Sequence, residues 1–241
     1  MSDSTTRICL WSGPRNVSTA LMYSFAQRSD TKVFDEPLYA HYLSNSSARE
    51  YHPMASEILE EMEQDGHKVV EMMCSNHEKS VLFFKQMTHH LVSIDWTFLS
   101  KMKNVILTRD PFEMLPSFAK EIENPTMHDV GYRAHIELLK YLEENGQNAL
   151  VIDSKDILLN PEAKLKELCG ALDIPFVKEM LSWPAGPIKE DGVWAAHWYG
   201  NVHNSLGFKP YEKKSEPFPD KLKPLLEECI PLYNKLRSRS L

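Results

Sequence analysis

The sequence predicts a three-layer α/β/α fold built around a central, mostly parallel sheet. Short apolar runs with strand character alternate with segments of helical periodicity, and this alternation is typical of βαβ units. The runs are apolar almost throughout, as expected for strands that helices cover on both faces. With 241 residues and 42% hydrophobic content, the chain can bury the core of one large domain, and we expect a single domain over residues 1–241.

Each element is predicted from a local pattern. The strands are the short apolar runs at residues 7–11, 32–34, 69–73, 81–84, 105–108 and 150–152. The helices are the periodic segments at residues 18–28, 54–65, 97–103, 128–145, 161–172 and 220–236. The fourth helix also has boundary signals, because Thr126 and Asp129 have capping-box spacing and Gly146 stands at its end. In the last helix, Pro231 predicts a kink.

Composition excludes several classes of protein. The net charge of −7 and the pI near 5.8 argue against a general nucleic-acid binder. No apolar run is long enough to cross a membrane, and the first residues do not form a secretory signal. No cluster has metal-ligand spacing, so we expect no metal site. The scattered cysteines predict buried free thiols and a cytoplasmic location; they are Cys9, Cys74, Cys169 and Cys229.

The strongest functional signal is a turn that follows the first predicted strand. Ligands of parallel sheets bind beyond the carboxyl ends of the strands. A helix that begins there offers free N–H groups and the positive end of its dipole to an anion. The residues of this turn are Gly13, Pro14, Arg15, Asn16, Val17, Ser18 and Thr19. The spacing differs from that of a nucleotide triphosphatase loop, because Ser18 and Thr19 stand where that loop has glycine and lysine.

This turn resembles the phosphosulfate-binding loop of the sulfotransferase superfamily. It matches the family loop at Pro14, Arg15, Ser18 and Thr19, and it departs at residues 16–17, where the family usually has Ser-Gly.

Two later segments extend the resemblance. Arg109 follows a predicted strand, and Ser117 comes eight residues later, as in the family's 3′-phosphate motif, where the serine stands at a helix start. Residues 150–175 resemble the family's strand, acidic turn, Asn-Pro pair and helix. An aspartate cap at Asp110, before Pro111, is the plain structural interpretation of the Arg109–Asp110 turn.

The resemblance implies a sulfuryl donor, 3′-phosphoadenosine 5′-phosphosulfate (PAPS), with adenosine 3′,5′-bisphosphate as its product and no metal. Arg15, Ser18 and Thr19 would hold the phosphosulfate, while Arg109 and Ser117 would hold the 3′-phosphate. In the family, a late segment covers the 3′-phosphate and the adenine. Its counterparts here are Lys189, Trp194 and Trp198.

Two candidates remain for the base that activates the acceptor. Glu36 follows the second predicted strand, where several branches of the family place a catalytic glutamate. The alternative is His90 or His89, which follow a strand that also carries Lys85, and Lys85 could neutralise the transferring group. Histidine has the more suitable unperturbed pKa, whereas a glutamate needs burial to raise its own.

Two other functions remain open at this point. An ATP-dependent P-loop kinase would use Asp153 as its Mg²⁺-binding acid, although the Gly-Lys-Ser/Thr sequence is missing. A non-catalytic nucleotide-binding relative is compatible with the departures at residues 16–17. For the main interpretation we expect a small acceptor, an alcohol, phenol or amine; the sequence leaves the oligomeric state open.

Overall fold

A parallel sheet forms the centre of the computed structural model, which describes residues 5–213 and 215–241. Its strands are β1 (Thr6–Ser12), β2 (Thr31–Asp35), β3 (Val81–Met87), β4 (Lys103–Thr108) and β5 (Ala149–Asp153). They lie in the order β2-β3-β1-β4-β5, and each neighbouring pair is parallel. The predicted parallel sheet is confirmed.

Helices flank this sheet. The α-helices are α1 (Ser18–Ala26), α2 (Tyr39–Ser44), α3 (Ala55–Glu61), α4 (Gly66–Cys74), α5 (Pro111–Phe118), α6 (Met127–Val130), α7 (Tyr132–Glu144), α8 (Ser154–Leu159), α9 (Pro161–Ala171), α10 (Ala195–Trp198), α11 (Gly200–His203) and α12 (Lys223–Arg237). Shorter 3₁₀ segments are Ser47–Glu50, Thr88–His90, Trp96–Lys101, Lys178–Leu181 and Asp220–Leu222.

Side chains of the central strand alternate between two hydrophobic cores. In β1, Ile8 and Leu10 pack into one core cluster, whereas Cys9 and Trp11 pack into the other. Since successive side chains of a strand point to opposite faces, helices must cover both faces. This arrangement confirms the three-layer fold.

One predicted strand, residues 69–73, is a helix in the structure. It belongs to α4, whose first turn is capped by Asp65 through a hydrogen bond from the His67 N–H at 2.9 Å. Val69 and Met73 are buried while Val70 and Glu71 are not, so the burial has helical spacing. The prediction was wrong because a short apolar run looks the same in a strand and in a buried helix face.

The long helix predicted at residues 128–145 is divided into α6 and α7. Gly131 has a φ of 75° and ends α6 in the left-handed region, which glycine adopts without cost. The capping box of Thr126 and Asp129 is confirmed. The segment predicted as a helix at residues 97–103 forms the 3₁₀ segment Trp96–Lys101, and α12 runs through Pro231.

All four cysteines are free, and three of them are buried while Cys74 is half-buried. No helix within residues 5–213 and 215–241 has the length and apolar character needed to cross a membrane.

The strand order fixes which residues meet at the carboxyl edge of the sheet. Glu36 follows β2, Thr88–His90 follows β3, residues 13–17 follow β1, and Arg109 follows β4. Neighbouring strands lie about 4.8 Å apart. Residues that are distant in the sequence therefore form one row along this edge.

Candidate active site

A cavity of about 560 Å³ opens at the carboxyl edge. Its volume falls within the range of small-molecule sites, roughly 300–1,000 Å³. The predicted site residues that line it are Gly13, Pro14, Arg15, Asn16, Val17, Ser18, Thr19, Glu36, Lys85, His89, His90, Arg109, Ser117, Trp194 and Trp198. The structure therefore brings together all the predicted site residues except Lys189.

The turn after β1 holds its shape through packing and one side chain. A Cβ on Gly13 would stand 2.9 Å from the Val130 carbonyl oxygen, so glycine is required for this approach. Asn16 ties the turn to β4, because its Nδ2 donates to the Leu107 carbonyl at 3.2 Å. Its Oδ1 accepts from the Ser18 N–H at 3.3 Å. The departure from the family at Asn16 thus has a structural role.

Helix α1 begins at the wall of the cavity. Its N-cap residue, Val17, makes no side-chain capping bond, and the first turn contains no acidic residue. Helix N-termini carry unsatisfied N–H groups and a partial positive charge. The start of α1 is therefore suited to an anion.

Two arginines form one cationic cluster with Ser117. Arg15 donates from Nε to the Ser117 hydroxyl at 3.2 Å, and Arg109 donates from Nη1 to the Arg15 carbonyl at 2.5 Å. The Arg109 backbone is held by Tyr132, whose hydroxyl donates to its carbonyl at 2.6 Å. Arg15 has a φ of 53°, a left-handed conformation that is uncommon outside glycine and clusters at functional sites.

The cluster corrects one expectation about Ser117. The residue lies in the last turn of α5, not at a helix start. Asp110 accepts from the Phe112 N–H at 2.9 Å, and Pro111 occupies the first turn, so the helix begins earlier. The predicted Asp110 cap is confirmed.

Glu113, on the same helix, lies close to this cluster. Its Oε2 lies 3.6 Å from Arg109 Nη2, one helical turn along the chain. Its Oε1 accepts a hydrogen bond from the Tyr211 hydroxyl at 2.5 Å. A carboxylate thus already stands beside the Arg109 guanidinium.

On the other side of the cavity, Lys85 is the centre of a buried polar network. Its ammonium donates to Asp35 at 2.9 Å, to the Tyr199 hydroxyl at 2.7 Å, and to Glu36. Its side chain is only 2% exposed. The Tyr199 hydroxyl also bonds Asp35 at 2.8 Å and accepts from the Trp194 indole N–H at 2.9 Å.

The carboxyl groups of this network set its protonation states. Burial raises the pKa of Glu36, and the Lys85 ammonium opposes the shift. Burial pulls the pKa of Lys85 down, but the carboxylates of Asp35 and Glu36 outweigh it and raise the pKa to about 12. Lys85 therefore keeps its proton and donates to both carboxyl groups. Glu36 also has a left-handed φ, 42°.

The two histidines after β3 are packed among aromatic rings. His90 stacks between Tyr39 and Tyr42, with ring centroids 4.8 and 4.7 Å apart. Burial lowers the pKa of His89 to about 3 and that of His90 well below its usual value. His90 Nε2 lies 4.0 Å from Glu36 Oε2. Within the described residues, neither Nδ1 atom has a hydrogen-bond partner.

Lys189 is the predicted residue that the structure does not bring to the cavity. Its side chain is 88% exposed and pairs with Glu190 at 3.3 Å. The turn around it is fixed by Asp191, which accepts from the Ile188 N–H at 3.2 Å and from the Tyr23 hydroxyl at 2.6 Å. This turn directs Lys189 to solvent.

Several residues of the cavity wall were not predicted. They include Tyr39, His52, Asp129, Tyr199, Phe208 and Lys209. Phe208 and Lys209 extend the predicted late segment, and an aromatic followed by a lysine could have indicated a nucleotide-covering role. His52 follows a 3₁₀ segment and no strand, so the rule about carboxyl ends does not find it. Tyr39 begins the helix after β2, beyond the Asp35–Glu36 pair at the strand end.

Asp153, the acid that a kinase would need, has a structural role. It caps α8 by accepting from the Lys155 N–H at 2.8 Å, and it accepts from the Tyr233 hydroxyl at 2.9 Å. It does not line the cavity. This placement disfavours the kinase interpretation.

Comparisons with solved structures identify the fold. A sulfotransferase domain from the curacin biosynthetic pathway has a TM-score of 0.56 and 16% identity, covering 93% of this chain and 97% of that one. A sulfotransferase from Alicyclobacillus acidocaldarius has a TM-score of 0.57 and 11% identity, and the match covers 98% of this chain and 97% of that one. The sulfotransferase domain of the Synechococcus PCC 7002 olefin synthase has a TM-score of 0.57 and 14% identity, and the match covers 93% of this chain and 94% of that one. At these identities the likeness shows the shared P-loop-like α/β fold.

Two longer proteins of Arabidopsis thaliana are related in sequence. Branched-chain-amino-acid aminotransferase-like protein 2 is 42% identical over 229 residues, which are 94% of this chain and 40% of that protein. Protein 1 of the same name is 42% identical over 230 residues, 95% of this chain and 41% of its own length. The chain thus spans about two fifths of these relatives, and their name describes the longer proteins.

A family model supplies the assignment. The model describes a sulfotransferase domain, and it matches residues 6–240. This range contains the turn after β1, the arginine cluster and the Glu36–Lys85 network. The chain therefore belongs to the sulfotransferase domain family.

Proposed function

We propose that this protein is a PAPS-dependent sulfotransferase that modifies a hydroxyl or amine of a small acceptor. The observation that carries the proposal is the composition of the cavity. The start of α1 and the Arg15–Arg109 cluster lie on its β1–β4 side, and a buried carboxylate lies on its β2–β3 side. A polyanionic donor and an acceptor that must lose a proton need these two environments next to each other.

The β1–β4 side fits a doubly phosphorylated nucleotide. The first N–H groups of α1, with the hydroxyls of Ser18 and Thr19, would hold the phosphosulfate. Arg109 and Ser117 would hold the 3′-phosphate. Arg15 contacts Ser117, so it would stand between the two groups and contribute to both. Trp198 and Phe208 offer ring surfaces for the adenine.

The β2–β3 side fits the proton transfer. Glu36 would accept the acceptor's proton as the new S–O or S–N bond forms and the bridging S–O bond breaks, and the bond's electron pair would stay on the leaving phosphate. We assign the base to Glu36 because burial raises its pKa toward the working range. The lowered pKa values of His89 and His90 weaken them as bases.

The experiment is a ligand comparison followed by a transfer assay. Adenosine 3′,5′-bisphosphate should raise the melting temperature and Mg-ATP should not, because only a ligand that binds the folded state stabilises it. Radiolabelled sulfate should then move from PAPS to a member of an acceptor panel. Stabilisation by Mg-ATP alone would contradict the proposal, and bisphosphate binding without transfer would indicate a non-catalytic relative.

A further inference from the structure

We propose that the acceptor is a small hydroxyl compound that is neutral or carries an amine, and that the cavity rejects acceptors with a carboxylate, phosphate or sulfate group. The inference rests on the proposed function and concerns the acceptor end of the cavity. The acceptor end is defined by Glu36, Tyr39, His52, Lys85, His89, His90 and Asp129, which all line the cavity.

Among residues 5–213 and 215–241, Lys85 is the one lysine of the acceptor end, and it has no donor left for an anionic acceptor. An ammonium group has three N–H donors, and those of Lys85 go to Asp35, Glu36 and Tyr199. The Tyr199 hydroxyl is itself saturated by Asp35 and Trp194. Binding a substrate carboxylate through Lys85 would therefore break a buried bond and leave its partner unsatisfied.

The histidines add no positive charge. His89 and His90 are 6% and 1% exposed, and burial lowers the pKa of each. Burial also lowers the pKa of His52, whose Nδ1 pairs with the Tyr39 hydroxyl at 2.8 Å. Neutral imidazoles can bind a hydroxyl or an amine, but they do not compensate an anion.

The acceptor end instead carries fixed negative charge. Glu36 lines the cavity, and Asp35 lies directly behind it on Lys85, so the two carboxylates together exceed the single charge of Lys85. Asp129 adds another carboxylate. Burial opposes its ionisation, but hydrogen bonds from Thr126 and Tyr51 outweigh this and lower its pKa. An anionic acceptor would thus be buried beside carboxylates without a counter-ion, which is strongly unfavourable.

The other cationic side chains that line the cavity, within the part of the chain that the structure describes, lie elsewhere. Arg15 and Arg109 follow β1 and β4, where the donor's phosphates would engage them. Lys209 is exposed to solvent, where the attraction of a charge is screened. The charge distribution therefore separates an anion-binding donor side from an acceptor end that favours neutral or cationic groups.

A matched series of acceptors tests this inference. The compounds 4-ethylphenol, tyramine and 3-(4-hydroxyphenyl)propanoate share a 4-alkylphenol frame and differ in charge. Butan-1-ol, 3-aminopropan-1-ol and 4-hydroxybutanoate form an aliphatic series of the same design. With PAPS as donor, kcat/KM for the carboxylate should be lower than for the neutral member by roughly 10²-fold. The amine should equal or exceed the neutral compound.

A charge-introducing variant gives a second readout. His52→Lys places an ammonium at the acceptor end and should raise the ratio of carboxylate to neutral kcat/KM by about tenfold. The same substitution at His77, which lies outside the cavity and contacts the Met72 carbonyl, is the control and should leave the ratio unchanged.

The outcomes separate this inference from the proposed function. A carboxylate used as well as its neutral partner, or a ratio that His52→Lys does not move, would overturn the charge selection. No transfer in either series, with the bisphosphate still bound, would overturn the small-hydroxyl class and leave the donor site standing. If the bisphosphate does not bind, both proposals fall.

Discussion

Arg15 and Ser117 are 102 positions apart in the sequence, yet the arginine Nε donates to the serine hydroxyl at 3.2 Å. The contact joins the turn after β1 to α5, and Arg109 reinforces it by bonding the Arg15 carbonyl. Removing the Arg15 guanidinium would therefore weaken both halves of the proposed donor site.

We expect Arg15→Ala to reduce turnover by roughly 10²–10³-fold, the loss typical of one key donor to a developing charge. Arg15→Lys should recover only part of it, because an ammonium lacks the planar fork of donors. The measurement is kcat with PAPS. Lys189→Ala is the control, since this side chain projects to solvent outside the cavity, and near-normal turnover of Arg15→Ala would refute the assignment.

Glu36→Gln should lower kcat by roughly 10²–10⁴-fold, the usual contribution of a general base. The base must be deprotonated to act, so wild-type activity should rise with pH through the pKa of Glu36, and burial places that rise above the range of an ordinary glutamate. The variant's residual activity should lack this rise. His90→Phe keeps a ring between Tyr39 and Tyr42 and should lose about tenfold or less. The reverse ranking would make His90 the base.

Asp35→Asn should shift the rise of activity with pH, which follows deprotonation of Glu36, to lower pH. The Asp35 charge raises the pKa of Glu36, and it also shares the Lys85 ammonium. Without that charge, Lys85 stabilises the Glu36 carboxylate more strongly, so the pKa falls. The asparagine Oδ1 can still accept from Lys85, whereas the Gly192 N–H, which donates to Asp35 Oδ2 at 3.1 Å, loses its acceptor. The pH profile of kcat checks this, and an unmoved profile would mean that Asp35 acts only in packing.

The sequence predicted the sheet well because the strand signals in β1, β2, β3, β4 and β5 are local. The site residues at strand ends could be predicted because ligands of parallel sheets bind at the carboxyl edge. The helix at residues 69–73 was missed because Asp65 was not recognised as its N-cap. Without that helix start, the spacing of the buried residues Val69 and Met73 does not stand out from the apolar run.

Contacts that depend on tertiary packing could not be predicted. Tyr199 reaches Lys85 across 114 positions, and no local pattern encodes that approach. Lys189 matched the family pattern by its position in the sequence. In the structure, however, the turn that Asp191 fixes directs its side chain to solvent and away from the cavity. The pKa values of His89 and His90 likewise depend on burial by distant residues, so the sequence left the base undecided.

Gly13→Ala should destabilise the fold by about 1–3 kcal/mol, because the new methyl would overlap the Val130 carbonyl at 2.9 Å and backbone would have to shift. Gly170→Ala is the matched control. It lies in α9 with nothing within 4 Å of the added Cβ, so it should stabilise by about 0.5 kcal/mol. Chemical denaturation measures both, and equal effects would show that the Gly13 approach is not as tight as the geometry implies.

The buried histidines should make the protein less stable in mild acid. The folded-state pKa values of His89 and His135 are about 3 and about 4, and burial is the main cause of both shifts. In the unfolded chain histidine titrates near ~6.5. Above that pH both states are neutral and stability is unaffected. As the pH falls from about 6.5, the unfolded state binds protons that the folded state excludes. Each such histidine then costs up to about 1.4 kcal/mol per pH unit.

The free energy of unfolding, measured from about pH 7 to about pH 5, should therefore decrease with acid. His135→Leu should reduce the slope of the free energy of unfolding against pH by the contribution of one histidine. The same change at exposed His67 should leave it unchanged. A slope that His135→Leu does not alter would mean that the loss of stability comes from other groups.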